Sequence, residues 1–124
     1  MSKIHKIIIL EDDHILLKAL NIELLSSGFE VLSATDGEIG LKLICEKKPD
    51  LVLLDLVMPK MHGFEVLTKL KNNMDTKDIP VIILSNLGQD EEIKKGMKLG
   101  ALDYYKKAST DLSKLSDKIK KVLA

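Results

Sequence analysis

The sequence predicts an α/β fold: a doubly wound, five-stranded parallel sheet with five helices, in one domain. Three observations predict it. Five short apolar or β-branched runs recur along the chain, the segments between them are long enough for helices, and the runs are continuously apolar. Continuous runs belong to strands buried on both faces, as right-handed helical crossovers bury them in a parallel sheet. A chain of 124 residues with 45% hydrophobic residues fills a single core.

The first run is KIIIL (6–10), and a helical pattern follows from Asp13, a helix cap, to a closing Gly28. EVLSA (30–34) is the second strand, and Asp36 caps the next helix, in which Cys45 reads as a small buried residue. Pro49 separates that helix from LVLLD (51–55), after which VMPK delays the next helix to about His62 or Gly63. Pro80 opens PVIIL (80–84), and a helix closing at Gly100 leads to ALDYY (101–105). Thr110 is the expected cap of the last helix, where Leu112, Leu115, Ile119 and Val122 recur at helical spacing.

Nineteen basic and nineteen acidic residues cancel, so no electrostatic footprint for nucleic acid or an anionic membrane is expected. Aromatics at 3% are too few for a base-stacking platform. The N-terminal MSKIHKIIIL lacks a cleavage site, and no run approaches a membrane span, which predicts a cytoplasmic protein. Cys45 is the sole cysteine and forms no internal disulfide.

In a doubly wound sheet the ligand site lies beyond the carboxyl ends of the strands. Those ends carry Glu11 and Asp12, then Asp55, then Ser85, then Lys106 or Lys107. Two like charges about 4 Å apart repel by about 4 kcal/mol at an effective dielectric near 20, so three converging carboxylates call for a cation or raised pKa values. Oxygen ligands without histidine or thiol suit Mg2+, and His5, His14 and His62 form no ligand spacing. A metal-assisted phosphoryl site is the economical reading. Asp55 is its nucleophile, Asp12 a metal ligand, Glu11 an outer-shell ligand through water, Ser85 a donor to a phosphoryl oxygen and one lysine the fixed positive charge. Ser85 alone would read as a loop serine; its place in the set promotes it.

With these residues in place, the sequence resembles, over essentially its whole length, the receiver domain of two-component response regulators. IIILEDD resembles the acidic pair after the first strand, LVLLDLVMPKMHGFE the phosphoacceptor strand and its turn, PVIILSN the fourth strand with its hydroxyl, and GALDYYKK the fifth with its aromatic and lysine. The intervals 12 to 55, 55 to 85 and 85 to 107 agree as well, and favour Lys107 over Lys106. The resemblance implies a flavodoxin-like strand order 2-1-3-4-5, and Mg2+ held by Asp12, Asp55 and the backbone carbonyl of Val57. It implies a phosphoryl group received on Asp55 from a sensor histidine kinase or a histidine phosphotransfer protein. It also implies a switch through Ser85 and Tyr104, read by a downstream protein on the face of the fourth helix, fifth strand and fifth helix, which includes Ile93 and Met97. By this reading the chain is no enzyme beyond its own phosphorylation and dephosphorylation, and residues 1–124 hold a receiver domain without an output domain. A stand-alone adaptor, a relay intermediate and a piece of a longer protein all fit.

The sequence departs from the family at four places. Ala108 stands where proline usually follows the lysine, with two expectations: a tolerated cis bond at a cost of about 2.5–4 kcal/mol, or a loop rebuilt in trans. Asn86 replaces a small residue and either narrows donor entry or offers a hydrogen bond. His62 replaces a common aspartate at a helix start. Val57 and Leu87 are apolar where polar side chains orient the hydrolytic water, which predicts slow self-dephosphorylation. Three rivals remain: a haloacid-dehalogenase-type phosphatase, weakened by valine at 57; a flavodoxin-like flavin carrier, weakened by the carboxylates; and a degenerate receiver acting as an unphosphorylated interaction module.

Overall fold

The computed structural model describes residues 3–124; Met1 and Ser2, which the single-domain reading spans, lie outside the described residues. The elements alternate: β1 Lys6–Leu10, α1 His14–Ser26, β2 Glu30–Ala34, α2 Gly37–Lys47, β3 Leu51–Leu54, α3 Gly63–Lys71, β4 Val81–Ser85, α4 Asp90–Lys98, β5 Asp103–Lys106 and α5 Leu112–Leu123. A 3-10 turn at Lys107–Ser109 joins the last two. The strands pair in parallel in the order β2-β1-β3-β4-β5. The strand order reverses at β1, which opens a crevice between the carboxyl ends of β1 and β3.

The pleat sorts the apolar runs between two cores. Ile7, Ile9, Leu51, Leu53, Ile82 and Leu84 pack with Leu17, Leu20 and Leu24 of α1 and Leu115 and Ile119 of α5. The alternate residues Ile8, Leu10, Val52, Leu54, Val81 and Ile83 pack with Ile44 of α2 and Val66, Leu67 and Leu70 of α3. Both faces being covered is why the strands read as unbroken apolar runs.

The punctuation follows the sequence with two exceptions. Asp13, Asp36 and His62 accept from backbone N–H groups in the first turns of α1, α2 and α3, and Gly28 and Gly100 adopt φ of 92° and 111° just past α1 and α4. The cap of α5 is Asp111, not Thr110: the Asp111 carboxylate accepts from Ser113 N–H, while the Thr110 hydroxyl donates back to the Lys106 carbonyl. Cys45 is exposed, not buried, because Gly37, Gly40 and Ile44 set the inward face of α2 and Cys45 lies one step round the helix. The fourth strand begins at Val81 and takes in Ser85, and the fifth begins only at Asp103.

Candidate functional site

Strand register builds the site. Leu10 is opposite Leu54, so the residues that follow, Glu11 and Asp55, are neighbours on adjacent strand ends, and Asp55 N–H donates to the Leu10 carbonyl at 2.9 Å. By the alternation of the pleat, Glu11 and Asp55 continue the face of Ile9 and Leu53, and Lys107 that of Tyr105, whereas Ser85 continues the face of Ile83. Two acids and a lysine therefore converge on the α1–α5 side. Lys107 Nζ lies 2.9 Å from Glu11 Oε2 and 3.1 Å from Asp55 Oδ2. Lys106 points to solvent, its stem against Gly88, so the lysine of the site is Lys107. The bond to Ala108 is trans, since the described chain contains no cis peptide; the 3-10 turn beginning at Lys107 is the rebuilt loop.

Glu11, Asp55 and Ser85 are 1%, 3% and 1% exposed, while Asp12 is open to solvent. Burial pushes the Glu11 carboxyl above the usual carboxylate range and the Asp55 charge adds to this, against the Lys107 hydrogen bond and the Asp13 N–H. Burial alone would lower the Lys107 pKa, but its hydrogen bonds to Glu11 and Asp55 and their charges outweigh that and raise it above an ordinary lysine. Asp55 Oδ1 accepts from Leu56 N–H at 2.8 Å, so both its oxygens are held and the carboxylate is fixed in orientation.

One carboxylate oxygen each of Glu11, Asp12 and Asp55 lies within 4.8 Å of the others. An all-oxygen set in an open cleft fits Mg2+, a hard ion that keeps water positions free for phosphate. The cleft holds about 280 Å3 and is lined by Asp12, Asp13, Asp55, Ser85, Lys107, Val57, Asn86 and Leu87, while Glu11 is buried and meets it through Lys107 Nζ. All the site residues expected from the sequence reach this region except Tyr104, which lies behind Ser85. The Tyr104 hydroxyl donates to the Leu87 carbonyl, and Ser85 Oγ accepts from Leu87 N–H at 3.2 Å. Ser85 and Tyr104 thus meet through one residue of the β4–α4 loop. Asn86 is an exposed residue at the lip, and His62 serves as a helix cap.

Three features escaped the sequence. Gly63 is required because a Cβ there would lie 2.4 Å from the Asp55 carbonyl oxygen and 2.7 Å from Leu56 Cα. Lys60 adopts φ of 72° at the centre of a three-residue turn closed by Met61 N–H on the Pro59 carbonyl, 2.8 Å. Leu87 supplies its carbonyl to Tyr104. Only Gly63 carries a signal in the sequence, as the glycine closing the MPKMHG turn.

The family model described as "Response regulator receiver domain" matches residues 7–120. The DNA-binding dual master transcriptional regulator RpaA of Synechocystis is 39% identical over 102 residues, covering 82% of this chain and 42% of RpaA. The chain spans less than half the length of the curated relatives it matches, RpaA among them. A CheY-like response regulator receiver domain protein from Methanospirillum hungatei superposes with a TM-score of 0.89 at 27% identity, covering 98% of this chain and 94% of that one. The Mn(2+)-bound form of response regulator Rcp1 superposes with a TM-score of 0.83 at 28% identity, covering 94% and 91%. The fold agrees with these matches, and the chain belongs to the response regulator receiver domains.

Proposed function

We propose that Asp55 accepts a phosphoryl group from phosphohistidine on a sensor histidine kinase or a histidine phosphotransfer protein. An Asp55 carboxylate oxygen attacks phosphorus, a P–O bond forms, the P–N bond breaks, and the imidazole nitrogen leaves with the electron pair. Lys107 carries the reading: it fixes Asp55 from one side and offers positive charge to a phosphoryl oxygen once that oxygen arrives. The Ser85 hydroxyl lines the same cleft and donates to a second oxygen. Asp12, Asp55 and the Val57 carbonyl would hold Mg2+, with Glu11 acting through water; bound there, the ion neutralises the charge that gathers in transfer. That Rcp1 has been solved with Mn2+ bound supports a divalent site in this fold.

The partner that delivers the group covers the cleft. Val57 lines the cleft and is 57% exposed, an apolar residue suited to contact with a protein surface. Output passes through Ser85 and Tyr104 to the face of α4, β5 and α5, where Ile93 is half-buried and Met97 exposed, and a downstream protein docks there. Catalysis is confined to the domain's own phosphorylation and dephosphorylation. The setting is cytoplasmic and needs no nucleic-acid contact; no helix among the described residues is long and apolar enough to cross a membrane. The degenerate-receiver alternative is disfavoured because Lys107 still reaches both acids despite Ala108.

Intact-mass spectrometry after incubation with acetyl phosphate and Mg2+ tests this. The expected result is an increment of about 80 Da that requires Mg2+ and is absent in Asp55→Asn. No increment with either acetyl phosphate or a phosphohistidine protein would leave the unphosphorylated interaction module.

A further inference from the structure

Two lysines stand in tandem at the end of β5, and the receiver reading uses only Lys107. Lys106 pairs in register with Ser85 across β4 and β5, so the pleat sends both side chains to the face of Ile83 and Tyr104, away from Glu11 and Asp55. There it meets the β4–α4 loop. A Cβ at Gly88 would lie 2.8 Å from Lys106 Cε, 2.9 Å from Cδ and 3.3 Å from Cγ, so the lysine stem occupies the place that a side chain at 88 would take. The Gly88 backbone is not left-handed, since the glycines of positive φ among the described residues are Gly28 and Gly100. Room for the stem, not a left-handed turn, is what glycine supplies here. The base of the stem is fixed, because the Lys106 carbonyl accepts from the Thr110 hydroxyl and its strand pairs with β4. One residue before Gly88, Leu87 is held at both of its backbone groups: its N–H donates to Ser85 Oγ at 3.2 Å and its carbonyl accepts from the Tyr104 hydroxyl. Three side chains of one sheet face, Ser85, Tyr104 and Lys106, thus grip two consecutive residues of the loop.

We propose that Lys106 is a positioning residue for Ser85: its aliphatic stem clamps Gly88 and thereby keeps Leu87 N–H on Ser85 Oγ. With that oxygen held as an acceptor, the hydroxyl hydrogen is free to be donated to a phosphoryl oxygen in the cleft. The proposal deepens the receiver reading and rests on it for the reaction, though not for the clamp. Lys106 is an exposed residue, and a stem that packs while its head stays in water needs no charged partner. The tandem lysines divide the work: Lys107 supplies charge to Asp55, and Lys106 supplies shape to the loop.

Hydrogen exchange at the Leu87 N–H, followed by NMR, is compared in the wild type, Lys106→Ala, Lys106→Met and Gly88→Ala, with the amides of β1 and β3 as the measure of global opening. Loss of the clamp predicts exchange about ten-fold faster at Leu87 in Lys106→Ala, with β1 and β3 unchanged. Lys106→Met keeps an unbranched stem without the charge and is expected to exchange as the wild type does. Gly88→Ala, whose methyl group displaces the flexible stem, is expected to behave as Lys106→Ala. Phosphorylation of Asp55 by acetyl phosphate at saturating Mg2+ should slow about five-fold in Lys106→Ala and recover in Lys106→Met. Unchanged Leu87 exchange in Lys106→Ala would overturn the proposal, and Lys106→Met behaving as Lys106→Ala would do the same by assigning the effect to charge. Faster exchange with undiminished phosphorylation would reduce the stem to a packing contact and remove its role at Ser85. The exchange comparison uses no phosphodonor, so a wild type that takes no phosphoryl group would sink the receiver reading while the clamp is still tested.

Discussion

Lys107, Glu11 and Asp55 are bound so closely that their protonation belongs to the fold as much as to the chemistry. Glu11 is raised in the folded chain above the unfolded value of 4.5. Between those two pH values the folded chain holds more protons than the unfolded one, so this group's contribution to stability grows as pH falls from 7 through the window and levels off below 4.5. The melting temperature of the wild type minus that of Glu11→Gln is expected to rise on acidification from pH 7 to 4.5, and a flat difference would refute the assignment. Lys107 has the opposite range: raised above 10.5, its contribution is complete below that pH and is lost as pH climbs through the folded value. Lys60 carries a positive φ that glycine adopts without strain, and its side chain is exposed. Lys60→Gly should stabilise by roughly 0.5–1 kcal/mol in urea unfolding, with the m-value unchanged. At the cleft, Val57 offers no group to orient a water. Val57→Asn is expected to speed loss of the phosphoryl group about ten-fold in the mass time course, and an unchanged decay would remove Val57 from the argument.

At the scale of elements, the junction of β3 and α3 decides where Asp55 sits. Gly63 N–H donates to the Leu56 carbonyl at 2.7 Å, and the helix start lies against the backbone that carries Asp55. Gly63→Ala forces backbone from backbone, since the added carbon meets the Asp55 carbonyl and Leu56 Cα, not a flexible side chain. The expected cost is about 2 kcal/mol or more in urea unfolding, together with slower phosphorylation by acetyl phosphate. Wild-type behaviour in both would mean that the turn yields without moving Asp55. Strands and helices were legible because buried parallel strands are unbroken apolar runs and helices carry caps. The misread details had weak local signals. Thr110 and Asp111 are both good caps, and only the path of the Lys107–Ser109 turn chose between them. Cys45 is small enough to fit either face, and the neighbours at 37, 40 and 44 settled it.

On the scale of the whole molecule, zero net charge conceals an acidic cluster at the cleft, and an ion held there only by the folded chain would also stabilise the fold. Mg2+ at ten times its Kd should add about 1.4 kcal/mol, an increase of about 5 °C in Tm for a chain of this size. Asp12→Asn should abolish most of that rise. Such a variant responding to Mg2+ as the wild type does would place the ion elsewhere. By itself the sequence determined the fold class, the number and order of the elements and which candidate residues stand at the carboxyl ends of the strands, because burial periodicity and residue chemistry are local properties. Tertiary structure decided which of them touch. The register of β1 against β3 made neighbours of Glu11 and Asp55, and the trans turn after β5 delivered Lys107 instead of Lys106. Register and packing are fixed by contacts between residues far apart in the chain, and no single segment carries that information.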